Sequence, residues 1–174
     1  MRLKGKPPRE PSFEKIDDVD LRRLADIALA WLNEDFLRPG SKWAAYRPLL
    51  ICLVQGAAQH YADASCGVND FDALVLLCPP EGESPPGRKF PNRLVAERDF
   101  GDPKFGRHSR RNPEFVGRTV DILVRAIDCS PSHDPIEVAR TYLRTARSAS
   151  ARHWRARAIV ALYPESLRGK AIWP

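Results

Sequence analysis

The sequence predicts an α/β (α+β) fold, a small mixed β-sheet flanked by helices and gathered in one domain. Three observations predict it. Short runs that are apolar throughout and bounded by Pro or Gly, such as residues 49–54, read as strands buried on both faces. Segments with apolar residues at helical spacing stand between and after them. The chain has 174 residues, of which 43% are hydrophobic and 29% charged, an ordinary globular composition at the length of one domain. Folding at that length removes roughly 70% of the surface that the unfolded chain exposes, so the core needs no metal or disulfide.

The elements follow in order. Residues 1–16 are basic and Pro-rich, with Pro7, Pro8 and Pro11 opposing a helix, and are expected to form a flexible arm. The domain is expected over residues 17–174. Leu21, Leu24, Ile27, Ala28, Trp31 and Leu32 recur at helical spacing behind the N-cap candidates Asp17, Asp18 and Asp20. That helix should stop near Pro39-Gly40. The strand at 49–54 lies between Pro48 and Gly56, and one or two helical turns follow over 57–63. A turn cluster, Gly67-Val68-Asn69, leads to a second strand at 71–78, ended by Pro79-Pro80. Residues 79–118 are rich in Pro, Gly, Arg and Lys and irregular, with a strand expected within 93–100. Another strand is expected at 119–125. Asp134 can cap and Pro135 can start a helix carrying Ile136, Ala139, Tyr142, Leu143 and Ala146. A further helix is expected around Trp154, Ile159 and Leu162, ending at Pro164.

Several classes drop out. The longest uninterrupted apolar runs, residues 49–54 among them, are far short of the roughly 20 residues of a membrane helix. The opening MRLKGKPPREP has no apolar segment behind its basic residues, so no secretory signal is read there. The expectation is a cytoplasmic chain with no membrane partner. Cys52, Cys66, Cys78 and Cys129 are widely spaced without a C-x-x-C, and Cys52 and Cys78 sit in apolar runs. Reduced thiols acting as small hydrophobes are expected rather than a disulfide pair. His60, His108, His133 and His153 form no ligand spacing with them, so no zinc site is expected.

The chemistry lies in the carboxylates. In Asp70-Phe71-Asp72, at the start of the second strand, the two acids share one face while Phe71 enters the core. Asp121 stands between Val120 and Ile122 in a later strand, where an acid is costly to bury without compensation. If the two strands are neighbours, three carboxylates converge and their repulsion calls for a cation. Oxygen-only ligation suits Mg²⁺ or Mn²⁺. Ahead of them, Val54-Gln55-Gly56-Ala57-Ala58 is a strand exit into a helix with small residues at the turn, where backbone N–H groups can approach phosphate.

This order of an apolar strand, a Gly-small turn, acid-apolar-acid, and later a lone acid between apolar residues resembles the nucleotidyltransferase superfamily of DNA polymerase beta type. The likeness spans about residues 48–127 and rests on Gly56-Ala57, Asp70-Phe71-Asp72 and Val120-Asp121-Ile122. It implies a nucleotidyltransferase-like fold and transfer of a nucleoside monophosphate from a nucleoside triphosphate, with release of pyrophosphate. It also implies two Mg²⁺ (or Mn²⁺) ions held by Asp70 and Asp72, with Asp121 completing one site and helping to activate the acceptor. Gly56 and Ala57 would bind the nucleotide. Ala57 stands where the family pattern has Gly or Ser, so a hydroxyl contact to phosphate is missing. The acceptor, whether RNA, protein or small molecule, is not specified.

Basic residues supply further candidates. Lys104 and Arg107 flank the Gly101-to-Gly106 turn in the loop between the acid-bearing strands and are expected to touch the triphosphate. A solvated basic loop is the plain alternative. Arg140, Arg144 and Arg147 follow i, i+4, i+7 spacing as one expected stripe, and no acid occurs among the arginines that run on to Arg157. The alternative function is therefore an inactive module of the same fold, binding RNA or a protein partner through arginine-rich faces. Trp154, Trp173, His60 and Tyr61 are expected to pack rather than to stack on a ligand.

Overall fold

The computed structural model describes residues 10–91, 93–107 and 112–174. His108, Arg110 and Arg111 of the basic loop lie outside the described residues. In chain order the elements are α1 (Asp18–Trp31), β1 (Arg47–Val54), α2 (Gln55–Asp63), β2 (Phe71–Cys78), β3 (Leu94–Asp99), β4 (Thr119–Ala126), α3 (Pro135–Thr145), α4 (Ala149–Arg155), β5 (Ile159–Tyr163) and β6 (Ala171–Trp173). The strands form one mixed sheet in the order β3-β4-β2-β1-β5-β6. Only β2 and β4 run parallel; every other neighbouring pair is antiparallel. This is an α+β fold with a mixed sheet.

The apolar runs explain the layering. Alternation sends Ile51, Leu53, Phe71, Ala73, Val75, Val120, Ile122 and Val124 to one face, where they pack with Leu21, Leu24 and Ala28 of α1. Leu50, Cys52, Val54, Leu74 and Leu76 take the other face and meet Ala139 and Leu143 of α3 and Trp154 of α4. Because both faces are covered, these strands can be apolar throughout.

The helices start where local chemistry directs. Asp17 caps α1, its Oδ1 accepting from Val19 N at 2.9 Å and Asp20 N at 3.1 Å, while Asp20 Oδ2 accepts from Asp17 N at 2.9 Å. The helix ends at Trp31, earlier than expected, and a wider π-type turn over Leu32–Phe36 carries the chain on. Asp134 caps α3, with Pro135 in its first turn.

Three expectations are corrected. The helix expected through Trp154, Ile159 and Leu162 ends at Arg155, and Ile159–Tyr163 is strand β5. Its run is buried on both faces, Val160 and Leu162 in the α1 layer and Ile159 and Ala161 in the α3–α4 layer. Cys78 and Cys129, expected reduced, form a disulfide with Cα atoms 5.3 Å apart, while Cys52 and Cys66 are free. The bond ties the end of β2 to the connection between β4 and α3. Residues 10–16, assigned by sequence to a flexible arm, lie against the domain: Ser12 pairs with Val68, Ile16 is buried, and Glu14 O lies 3.0 Å from His60 Nε2.

Candidate active site

The end of β1 meets the beginnings of β2 and β4 at one end of the sheet. Val54, the last residue of β1, is the register partner of Asp72. Asp72 is in turn the partner of Asp121 in the parallel β2–β4 pair. Neighbouring strands lie about 4.8 Å apart, and register partners project to the same face. Asp72 and Asp121 therefore stand side by side. Both belong to the alternating sets that continue through Leu74 and Leu123 into the α3–α4 layer, while Phe71 and Val120 enter the α1 layer.

Asp70 precedes β2 and, with Asp72, lines a cavity of about 240 Å³ whose other walls include Gly56, Ala57, Asn69 and Arg157. Asp121 is not among the described lining residues. It joins the site through its register with Asp72, half-buried, with Oδ1 fully enclosed.

Strand β3 adds an acid, Glu97, that the sequence does not mark as a site residue. Glu97 is the antiparallel register partner of Asp121, so Asp72, Asp121 and Glu97 form a row across three adjacent strands. Like charges directly opposite one another on neighbouring strands are destabilising. A strand within 93–100 is expected from the sequence. The pairing of β3 with β4, and its register, is not.

Carboxylate oxygens are hard donors suited to Mg²⁺ or Mn²⁺. Among the described residues no three His, Cys, Asp or Glu side chains group closely enough to hold a metal ion by themselves. Mg²⁺ commonly takes one or two carboxylates, keeps water and shares phosphate oxygens. The Asp70–Asp72 pair at the cavity wall fits a cation shared with a phosphate ligand, not a cage built from protein alone.

The turn between β1 and α2 is sharply bent. Gln55 has φ 63°, a left-handed conformation uncommon outside glycine, and its Oε1 lies 3.0 Å from His153 Nε2 on α4. A Cβ at Gly56 would stand 3.4 Å from Arg157 Nη1, so the guanidinium lies against the turn. Ala57 and Ala58 are buried in the α1 layer, and their small size brings α2 close to the sheet.

Lys104 does not join these residues. Its Nζ donates to Asp17 Oδ2 at 2.9 Å and to Asp20 Oδ2 at 2.5 Å, at the start of α1. Burial alone would lower the Lys104 pKa, but the two carboxylates outweigh it and hold the ammonium above its ordinary value; the same bond lowers the Asp17 pKa. The triphosphate contact expected of Lys104 is corrected accordingly. Arg107 is exposed and is likewise not among the described residues of the cavity.

The expected arginine stripe also breaks up. Helix α3 ends at Thr145, so Arg147 lies beyond it. Arg140 donates to Glu137 Oε1 at 2.9 Å and Ile172 O at 3.0 Å, and Arg155 donates to the carbonyls of Leu143 and Ala146. Arg118 and Arg125, the basic neighbours of Asp121 in sequence, are buried. Arg118 Nε donates to Phe105 O at 2.6 Å, and the Arg125 guanidinium lies over the Trp154 ring, 4.9 Å from its centroid. Trp154 and His60 are buried packing residues.

Comparison with known protein families, with curated proteins and with solved structures finds no match to this chain. No helix among the described residues is long and apolar enough to cross a membrane.

Proposed function

We propose that the chain is a metal-dependent nucleotidyltransferase that moves a nucleoside monophosphate from a nucleoside triphosphate to an acceptor, releasing pyrophosphate. The observation that carries this reading is the register of Asp72 with Asp121 beside a cavity that Asp70 and Asp72 share with the Gly56-Ala57 turn. In this reading Asp70 and Asp72 would hold Mg²⁺ or Mn²⁺, two ions in all, sharing them with water and the phosphates, and Asp121 would stand beside them from the neighbouring strand. When bound, the metal neutralises charge on the phosphates and leaving group and favours ionisation of the attacking oxygen. Asp121 orients the acceptor group and draws its proton. Gly56 and Ala57 leave room for phosphate to reach the turn. A chain that consumes nucleoside triphosphate in this way would work in the cytoplasm, where Cys78 and Cys129 would meet reducing conditions.

The test is transfer of label from α-labelled triphosphates, with and without Mg²⁺. Transfer should require the ion, and Asp70→Ala and Asp72→Ala should each lose it by at least about a hundredfold. Full activity in either variant overturns the carboxylate assignment. Melting temperatures with ATP, CTP, GTP and UTP, each with and without Mg²⁺, separate this reading from a module that only binds RNA or protein. A ligand that binds the folded chain raises its melting temperature by mass action, and a module without a nucleotide site does not respond.

A further inference from the structure

Arg157 lies in the link between α4 and β5 and is one wall of the cavity that Asp70 and Asp72 line. Its Nη1 rests against the β1–α2 turn, 3.4 Å from where a Gly56 Cβ would sit. The guanidinium makes no hydrogen bond or ion pair to the described residues, whereas its neighbours are engaged. Arg155 holds two carbonyls of α3 and its C-terminal end, Arg152 donates to Arg147 O, and Arg144 donates to Thr141 Oγ1. Two contacts bracket Arg157 and fix the link against α2. Ala158 N donates to Gln59 Oε1 at 3.0 Å, and His153 Nε2 lies 3.0 Å from Gln55 Oε1.

Arg157 and the two carboxylates line the same cavity, and the guanidinium forms no ion pair with either of them. A cavity lined by both signs of charge matches a ligand that carries both. A polyphosphate complexed with a divalent cation is such a ligand: the metal faces the carboxylates and the phosphate oxygens face the guanidinium, whose fork suits them. Ala57 offers no hydroxyl to the phosphates, and the Lys104 amine is occupied at the start of α1.

We infer that Arg157 is the phosphate-binding residue of this site, gripping the polyphosphate of the incoming nucleotide in the role that sequence reasoning gave to Lys104 and Arg107. The inference rests on the proposed function. Because Arg157 is half-buried and makes no bond to the described residues, its replacement should leave the fold in place.

The experiment is calorimetric titration of the full chain with Mg·ATP and, separately, with Mg²⁺ plus inorganic tripolyphosphate, which lacks a base. The proteins are wild type, Arg157→Ala, Arg157→Lys and Lys104→Ala, each checked for a wild-type circular dichroism spectrum. Loss of a charge-assisted contact should weaken both ligands by between about tenfold and a hundredfold in Arg157→Ala. Arg157→Lys should recover part of that loss, and Lys104→Ala should bind as wild type. Wild-type affinity in Arg157→Ala overturns the inference and leaves the proposed function standing. A wild-type chain that binds neither ligand overturns both. If Arg157→Ala fails to fold, Arg157→Lys decides, and full wild-type affinity there with loss in Lys104→Ala assigns the phosphates to Lys104 instead.

Discussion

Replacing Gly117 by alanine measures how tightly the entry to β4 fixes the acid row. A Cβ at Gly117 would sit 2.5 Å from Asp102 O, 3.1 Å from Asp102 N and 3.2 Å from Asp102 C. All three are backbone atoms, so no flexible side chain can yield. Gly117 is itself held, its N–H donating to Asp99 Oδ1 at 2.8 Å while Val116 N donates to Asp99 Oδ2 at 2.7 Å. Ordinary carbon contacts begin near about 3.5 Å, so one backbone must retreat by roughly 1 Å. Overpacking of this kind costs about 1–3 kcal/mol. At this chain length each kcal/mol lowers the melting temperature by about 2–4 °C. Urea unfolding followed by circular dichroism should show a lower midpoint with an unchanged slope. The same substitution at Gly56 serves as contrast, because its Cβ meets only the end of a flexible side chain at 3.4 Å. Alanine is also favoured over glycine inside a helix by up to about 1 kcal/mol. Gly56→Ala should be as stable as wild type or more so. Equal midpoints for Gly117→Ala and wild type would refute the steric argument.

Other outcomes follow from the same contacts. The Cys78–Cys129 bond spans a sequence separation of 51, and chain entropy assigns about 4 kcal/mol to a loop of that length; reducing agent, or Cys78→Ser with Cys129→Ser, should lower the urea midpoint to match. Burial pushes the Cys52 thiol pKa up and encloses it, so alkylation of the native oxidised chain should label Cys66 and spare Cys52, as peptide mapping would show. Lys104→Ala removes the partner of the nearly buried Asp20 carboxylate and should cost about 1 kcal/mol in thermal or urea unfolding. Burial raises the Asp99 pKa, but the N–H groups of Val116, Gly101 and Gly117 outweigh it and hold it below its ordinary value. A carboxyl whose pKa is lower in the folded chain adds stability that is present above the unfolded value, about 3.9, and is lost as pH falls through the folded one. Unfolding midpoints should therefore drop below about pH 4, and Asp99→Asn should be weaker at pH 7 but less sensitive to that acidification.

What the sequence determined by itself is local. The runs at 49–54, 71–78 and 119–125 read as strands because each is short and dominated by apolar residues, with single acids at Asp72 and Asp121 in the last two, and each is bounded by turn-forming or charged residues. The shared face of Asp70 and Asp72 follows from strand alternation, and the start of α3 from Asp134-Pro135. The short apolar run 159–162 reads by spacing as the continuation of a helix, and its pairing with β1 and β6 in the sheet, not its periodicity, made it a strand. Tertiary structure decided everything that depends on register or on distance along the chain. Nothing in one dimension aligns Asp72 with Asp121 and Glu97, since that row exists only because β4 lies between β2 and β3. Lys104 meets carboxylates 84 and 87 residues away, and Cys78 finds a partner 51 residues on. Arg157 reaches the Gly56 turn from the far end of the chain because β5 pairs with β1. Spacing encodes which way a side chain points from its own element; only packing of the elements decides what it points at.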